Sequence, residues 1–380
     1  MHLQLQAELP CDVETAWPWL VDPELMNQWS TARIEATSPG DRGLAWSTGA
    51  LRQVHVPAPF GDKVLKEVVE HVEPGRRFVY RVYGGIPARY HRGEMALTGG
   101  NPCHLTWTVD ADFYWAATEM IAKRLLQREL NASLRRLEGV VAPVKSVEWT
   151  SAETLGHLPP KSLWEEAERI RAGQEALANS LRDAGDPRYW FTRVYQYVTE
   201  AQLEACKRGA IQHVEWVLQL IASFDRYYLR SLEPFIDGRP EEVEEHWATA
   251  FAAMGRHDGK YTDDGYRLFR GLQLAIEAHI EFDLPRCLQE VYLGHFAERC
   301  DYVRFRSDYI LMAPLFLEAS ERIIEEIPAS YLPLSVRLLG KRLPERMRLK
   351  MYRERFYDVA RKRMQAFEKG HELLDSKSPA

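Results

Sequence analysis

The sequence predicts an α+β protein in two successive parts: an antiparallel sheet with a long helix, then an all-helical domain. Three observations carry this. Up to about residue 140, apolar residues mostly alternate with polar ones, the period of a half-buried strand. The same stretch is punctuated by turn signals, SPGDRG, PAPFGD, EPGRR, YGGIP and TGGNP. Beyond about residue 160 the alternation fades, and long stretches rich in Glu, Arg, Ala and Leu take over, the residues that form helices most readily.

Taken in order, residues 2–10 alternate with Leu3, Leu5, Ala7 and Leu9 on one face, which predicts a strand. Asp12 caps a helix through Val13, Trp17 and Leu20. Asp22-Pro23 breaks it, and a short helical piece runs to Trp29. The clearest later strands are 64–72, 78–83, 90–97 and 104–109. Residues 116–137 form an amphipathic helix with Ile121, Leu125, Leu130, Leu134 and Leu137 as its buried stripe. A linker at 141–161 holds Pro143, Gly156, Pro159 and Pro160, so the domains are 1–140 and 162–375. Helices are expected at 163–183, 187–208, 212–232, 240–254, 264–284, 285–324 (with a break) and 344–374. No fixed-period repeat is visible.

A length of 380 residues suits two domains, and 46% hydrophobic with 27% charged residues describes an ordinary globular chain. The net charge of −6 gives no support for a nucleic-acid or anionic-membrane partner. The start MHLQLQAELPCDVE lacks the basic-then-apolar pattern of a secretory signal, and no apolar run reaches the roughly 18 residues of a membrane span. A cytoplasmic protein is expected. The scattered Cys11, Cys103, Cys206, Cys287 and Cys300 form no CxxC and read as reduced thiols. There is no GxSxG elbow, GxGxxG or P-loop, so no nucleotide cofactor is expected. The acidic EEVEEHW (241–247) and the basic run at 341–355 read as solvated helix faces.

The segments LPCDVETAWPWLVDPELMNQWS, VEPGRRFVYRV and LTWTVDADF, in the order strand, helix pair, strands, long helix, resemble the START-like polyketide cyclase/dehydrase and lipid-transport superfamily (SRPBCC) over residues 1 to about 140. That resemblance implies a helix-grip domain, a curled sheet around the long helix, enclosing a hydrophobic pocket. It implies no universal catalytic residue. Residues from about 160 to 370 resemble an uncharacterised all-helical bacterial domain of unknown function. The resemblance is carried by GDPRYWFTRVYQYVTEAQLEACKRGAIQHVEWV, AIEAHIEFDLPRCL, CDYVRFRSDY and YRERFYDVA. Members of that family show Asn-like side chains where this chain has Glu281 and Arg306.

The stretch GLQLAIEAHIEFDLPRCL (271–288) reads as a helix presenting His279 and Asp283 one turn apart on the stripe of Leu272, Ala275 and Ile276. A buried imidazole beside a buried carboxylate must be satisfied by something. Three readings stay open: a divalent-metal site, a His oriented by a carboxylate for proton transfer, or a packing hydrogen bond next to a helix break at Pro285. A metal needs further ligands, for which His213 and Asp301, on other helices of the family resemblance, come first and Glu277 and His295 follow. In the first half, the strand that turns Met95 and Leu97 inward also turns Arg89 and His91 inward. With Tyr80 and Trp107 they would line a mostly apolar pocket in which Tyr80 and His91 hold or deprotonate a phenolic or β-carbonyl substrate. The alternative is plain core packing.

Three functions fit. One is an enzyme performing a non-redox cyclisation, dehydration or hydrolysis on a polyketide- or acyl-like molecule. Another is a non-catalytic carrier of such a molecule whose helical half docks a partner. The third is a fusion whose helical half makes a homo-oligomer.

Overall fold

The computed structural model describes residues 1–57, 63–144, 149, 158–255, 261–328 and 359–375. The chain separates into two compact units, Met1–Glu153 and Thr154–Ala380.

The first unit is a seven-stranded antiparallel sheet with three helices. In chain order it runs β1 (His2–Leu9), α1 (Val13–Val21), α2 (Pro23–Trp29), β2 (Arg33–Ser38), β3 (Leu51–Val56), β4 (Lys63–Glu73), β5 (Arg77–Gly84), β6 (Ala88–Gly99), β7 (Cys103–Phe113) and α3 (Ala116–Val140). The spatial order is β1-β7-β6-β5-β4-β3-β2. Asp12 caps α1 by accepting from the Thr15 amide at 2.8 Å, and Asp22 caps α2 from Glu24 at 2.8 Å with Pro23 in the first turn. Register shifts in the β2–β3, β4–β5 and β6–β7 pairs mark bulges, which bend and twist strands and so help curl the sheet.

The inner face of the sheet is built from Phe78, Tyr80, Met95, Leu97, Leu105 and Trp107, and closed by Leu130, Leu134 and Leu137 of α3. The helix stripe expected from sequence is only half right: Ile121 is 64% and Leu125 37% exposed. Leu125 and Leu130 are five residues apart, which puts them about 140° apart around a helix. Burial follows the Leu130–Leu134–Leu137 phase, on which Leu126 also packs, so Ile121 and Leu125 face outward with Met120.

Polar groups also reach this interior, and they are paired. Arg52 and Glu67 are direct cross-strand partners, and Arg52 Nε donates to Glu67 Oε1 at 2.7 Å. The guanidinium lies 4.9 Å from the centre of the Phe78 ring. Burial pushes the Glu67 carboxyl up against the pull of Arg52. Trp107 Nε1 donates to Tyr80 Oη at 2.9 Å. Across the sheet from Tyr80 stands Gly93, where any Cβ would overlap the tyrosine ring.

The second unit contains α4 (Lys161–Asp183), α5 (Tyr189–Lys207), α6 (Val214–Ile236), α7 (Glu245–Met254), α8 (Tyr261–Glu277), a π-helical segment (Ala278–Asp283), α9 (Leu284–His295), α10 (Arg306–Leu311), α11 (Ala313–Glu326) and α12 (Val359–Asp375). Single 3₁₀ turns lie at Pro240–Glu242 and Tyr302–Phe305. Among the described residues this unit has no strand. The stretch expected as one broken helix at 285–324 is three helices, and the part of the expected 344–374 helix before 359 lies outside the described residues, as does most of the 141–161 linker. The core is aromatic, with Trp190, Phe191, Tyr195, Tyr228, Trp247 and Phe251 at its centre. Gly370 lets α12 settle against Pro285 and Tyr302, since a Cβ there would lie 3.2 Å from the Pro285 carbonyl oxygen.

All five cysteines are free. No helix among the described residues is long and apolar enough to cross a membrane.

The buried Arg52–Glu67 pair yields a test of the first unit. Arg52→Ala strands a buried carboxylate and should lower unfolding free energy by about 3–5 kcal/mol. The double change Arg52→Met with Glu67→Met should recover most of that loss. Urea denaturation of the two variants beside the parent chain measures both.

Candidate functional site

The helix expected at 271–288 does not stop at Pro285, nor does it pass through as ordinary α-helix. Proline lacks the N–H that would bond the carbonyl four residues back, and its ring clashes with that carbonyl. The chain answers with a π turn: the Leu284 amide bonds back to the His279 carbonyl, five residues away. The Glu281 carbonyl, left without the Pro285 amide, accepts instead from Lys369 Nζ of α12 at 3.4 Å. His279 and Asp283 thus sit within and at the end of the π turn, 6% and 1% exposed.

Asp283 is held from α7. Trp247 Nε1 donates to its Oδ2 at 2.8 Å, and His246 Nε2 lies 3.5 Å from Oδ1. His279 Nδ1 stands 3.7 Å from Oδ2, too far for a hydrogen bond, and has no hydrogen-bond partner among the described residues. The His279 ring is enclosed by Phe191, Tyr195, Phe224 and Trp247, with centroids 3.9 to 6.0 Å away. His246 and Trp247 belong to the EEVEEHW stretch read as solvated. That reading is corrected: Trp247 is fully buried, and His246 stacks on Phe282 with ring centroids 4.5 Å apart.

The electrostatics separate the two groups. Burial pushes the His279 imidazole below its ordinary 6.5. The Asp283 carboxylate opposes this only in part, and the charge of Arg363 adds to the fall. Burial pushes the Asp283 carboxyl up, but His246, His279 and Trp247 more than offset it and hold the group below the ordinary carboxylate range. The result is a neutral imidazole beside an ionised carboxylate at neutral pH.

His279 opens onto a cavity of about 60 Å³ lined mostly by apolar side chains, among them Leu220, Ile221, Phe224, Ile276 and Met312. Its other polar lining residues include Gln202, Tyr309 and two that matter most here. Tyr195, from α5, is 5% exposed, and its hydroxyl has no partner among the described residues. Burial first, then the nearby Asp225, push its phenol far above the ordinary value, so it stays protonated. Arg363, from α12, is 3% exposed. Sequence reasoning missed both residues, although Tyr195 lies in a segment that carries the family resemblance, within RVYQYV, and Arg363 lies three residues beyond another, YRERFYDVA.

The metal-ligand set expected from sequence does not form. His213 turns to Asp308, whose Oδ2 is 2.8 Å from its Nδ1, and the same carboxylate accepts the amides of Gln212 and His213 at the start of α6. This is an anchoring role. Asp301 is exposed at the start of a 3₁₀ turn, His295 is exposed, and Glu277 accepts from Gln273 at 2.7 Å. Among the described residues no group of three or more His, Cys, Asp or Glu could hold a metal ion. Glu281 pairs with Lys362 at 2.9 Å, and Arg306 is buried in α10; neither lines the cavity. Burial raises the thiols of Cys11, Cys103, Cys206, Cys287 and Cys300, so none is an activated nucleophile.

In the first unit Tyr80, Trp107 and His91 come together, with the Tyr80 and His91 rings 6.1 Å apart. Arg89 does not join them. The β6–β7 register slips between Ala88 and Tyr90, which breaks the alternation that brings His91 in from Leu97. Arg89 lies instead over the partly exposed ring of Tyr114, 5.4 Å from its centre. Burial raises the Tyr80 phenol beyond use as a base, and burial with the neighbouring Arg81 lowers His91 to about 4.

Fold and sequence agree on the class. Residues 1–142 match the family model described as polyketide cyclase / dehydrase and lipid transport, and this unit has the START-like helix-grip fold. Residues 167–377, more than half of the chain, match the family of unknown function DUF5995, and the chain belongs to that family. Among solved structures the chain is similar to DynU16, a protein in the dynemicin biosynthetic locus, at 23% identity over 36% of this chain and 47% of that one, with a TM-score of 0.28. It therefore spans about half the length of that protein. It is also similar to a START superfamily protein from Mycobacterium smegmatis, at 15% identity over 37% of this chain and 96% of that one, TM-score 0.33. A third likeness is to the Zhui aromatase/cyclase from Streptomyces sp. R1128, at 15% identity over 37% and 92%, TM-score 0.32. None is similar enough to carry a function across. No curated protein matches the chain.

The lowered His279 has a thermodynamic signature. Between its folded value and 6.5 the unfolded chain takes up a proton that the folded chain refuses. This contribution to stability should be full above pH 6.5 and fall away as pH drops below it. Denaturation of the parent chain and His279→Gln across pH 4.5–7.5 should show a shallower acid slope in the variant. NMR titration should place the His279 imidazole below the ordinary histidine range.

Proposed function

We propose that this protein is an enzyme that performs non-redox acid–base chemistry on a hydrophobic small molecule of the polyketide- or acyl-like class, with His279 as the base. The supporting observation is that the neutral imidazole of His279 faces the same small, mostly apolar cavity as the protonated hydroxyl of Tyr195, and that neither His279 Nδ1 nor that hydroxyl has a hydrogen-bond partner among the described residues. Their rings are 5.0 Å apart. In such an arrangement the imidazole removes a proton from a carbon next to a carbonyl, and the phenol donates to the oxygen that gains charge. Asp283, pinned by Trp247, stabilises the imidazolium that forms. The 3.7 Å separation of His279 from Asp283 suits a site that tightens when substrate enters. A cyclisation or dehydration beginning with enolate formation fits these groups best.

A second reading is favoured by the first unit. Its interior polar groups are committed to each other, Arg52 to Glu67 and Trp107 to Tyr80, which suits holding an apolar ligand without reacting with it. On that reading the protein is a lipid or polyketide carrier.

The two readings separate in one experiment. The full chain is incubated with short β-hydroxy and β-keto acids, both free and as thioesters of N-acetylcysteamine, and products are followed by mass spectrometry. Turnover should fall by about 10²–10⁴-fold in His279→Gln and by a smaller factor in Tyr195→Phe. Equal turnover in His279→Gln would sink the acid–base reading. Binding of the thioesters without conversion would favour the carrier.

A further inference from the structure

We infer that the cavity beside His279 is a binding site for a small carboxylate, held by Arg363 with the short apolar arm of the ligand among Leu220, Ile221, Phe224 and Ile276. The inference deepens the acid–base reading of this cavity by naming what the substrate carries, and its place in catalysis rests on that reading; the binding itself does not.

Arg363 is a buried cation with no carboxylate partner among the described residues. Its guanidinium is sandwiched between aromatic rings, 4.1 Å from the centre of Tyr309 and 4.3 Å from that of Phe316. One terminal nitrogen donates to the Tyr309 carbonyl at 3.1 Å, while the Tyr309 hydroxyl donates to the Arg363 carbonyl at 2.7 Å. Nε has no partner, and no carboxylate pairs with the group among the described residues. Its neighbour Lys362 is paired with Glu281, and the Asp283 carboxylate is committed to Trp247. Buried charges are ordinarily paired, because leaving one unpaired in apolar surroundings is expensive. Here the guanidinium is locked by stacking and backbone contacts, and Arg363 lines a cavity whose walls are mostly apolar.

The geometry selects the ligand class. A guanidinium offers parallel donors that match the two oxygens of a carboxylate. Tyr195 adds a free hydroxyl on the same cavity. One cation and apolar walls suit a monoanion with a hydrocarbon arm rather than phosphate, which demands more donors. A volume of about 60 Å³, at roughly 10–15 Å³ per water position, admits on the order of four to six non-hydrogen atoms, the size of acetate to butyrate.

Isothermal titration calorimetry of the full chain with sodium butyrate, n-butanol and sodium phosphate tests this. Butyrate should bind at least tenfold more tightly than butanol, with no phosphate binding. Arg363→Met should lose at least tenfold in butyrate affinity and lose the rise in melting temperature that butyrate gives the parent chain. Should Arg363→Met fail to fold, Arg363→Lys carries the test. It keeps the charge without the two-pronged donor and should weaken butyrate at least fivefold. Equal affinity for butyrate and butanol, butyrate affinity unchanged in either variant, or phosphate bound as well as butyrate would overturn the inference. His279→Gln should still bind butyrate while losing turnover. If it keeps both, the acid–base reading fails and the carboxylate site stands; if butyrate does not bind the parent chain, the carboxylate site fails whatever His279 does.

Discussion

Pro285 has no amide hydrogen to give, and much of the helical unit is arranged around that fact. An α-helix crossing this position would lose the bond to the Glu281 carbonyl and push that carbonyl against the proline ring. The π turn at Ala278–Asp283 resolves both problems by sending the Leu284 amide one residue further back. It also re-aims the side chains on either side. Asp283 reaches the indole of Trp247, and His279 is left facing a cavity with no acceptor at bonding distance on Nδ1. π turns recur at functional sites for this reason: the local geometry is dearer than an α-helix and persists where something depends on it. The displaced Glu281 carbonyl is taken up by α12, the helix that also brings Arg363.

Both units pair buried polar side chains, as His213 with Asp308 in the helical one, but the helical unit departs from this around its cavity. In the sheet unit two pairs of inward polar groups meet: Arg52 answers Glu67 on the adjacent strand, and Trp107 of β7 reaches Tyr80 of β5 across β6. For Arg52 and Glu67 cross-strand pairing makes the match natural, because these partners sit directly opposite one another. In the helical unit the inward polar groups of α5, the π turn and α12 converge on one cavity and are not matched to one another. An interior that, among the described residues, leaves a phenol, an imidazole and a guanidinium each short of a partner is preorganised toward something brought from outside.

What was legible in the sequence followed from short-range periodicity. The alternation in residues 90–97 fixed which side of β6 faces inward, because the side-chain period of a strand is two and tolerates no drift. It failed for Arg89, where a bulge inserts one residue and no local pattern announces it. The α3 stripe failed for a related reason: five apolar residues were read as one face, although the gap from Leu125 to Leu130 is out of helical phase. The His279–Asp283 spacing was visible, but its partners were not. Trp247 lies 36 residues upstream of Asp283 and Arg363 well downstream of His279, and only the packing of separate helices decides which of them arrive. His213 illustrates the converse. It needed a buried partner and found one, but in Asp308, because the exposed backbone amides at the start of α6 drew that carboxylate to themselves.

The docking of α12 bears on how the molecule is made. A ribosome delivers residues in order, and N-terminal units tend to fold while later ones are still emerging. The sheet unit draws its core from within its own 153 residues, so it can consolidate early. The cavity is different: its walls come from α5, α6, α8, the π turn, α9, α10 and α11, and its cation comes from α12. A nascent chain lacking α12 therefore has the imidazole and the phenol but not the guanidinium, and Tyr309 lacks the carbonyl that receives its hydroxyl. The acid–base groups are thus in the chain before the cation, and the site is complete only once α12 has docked.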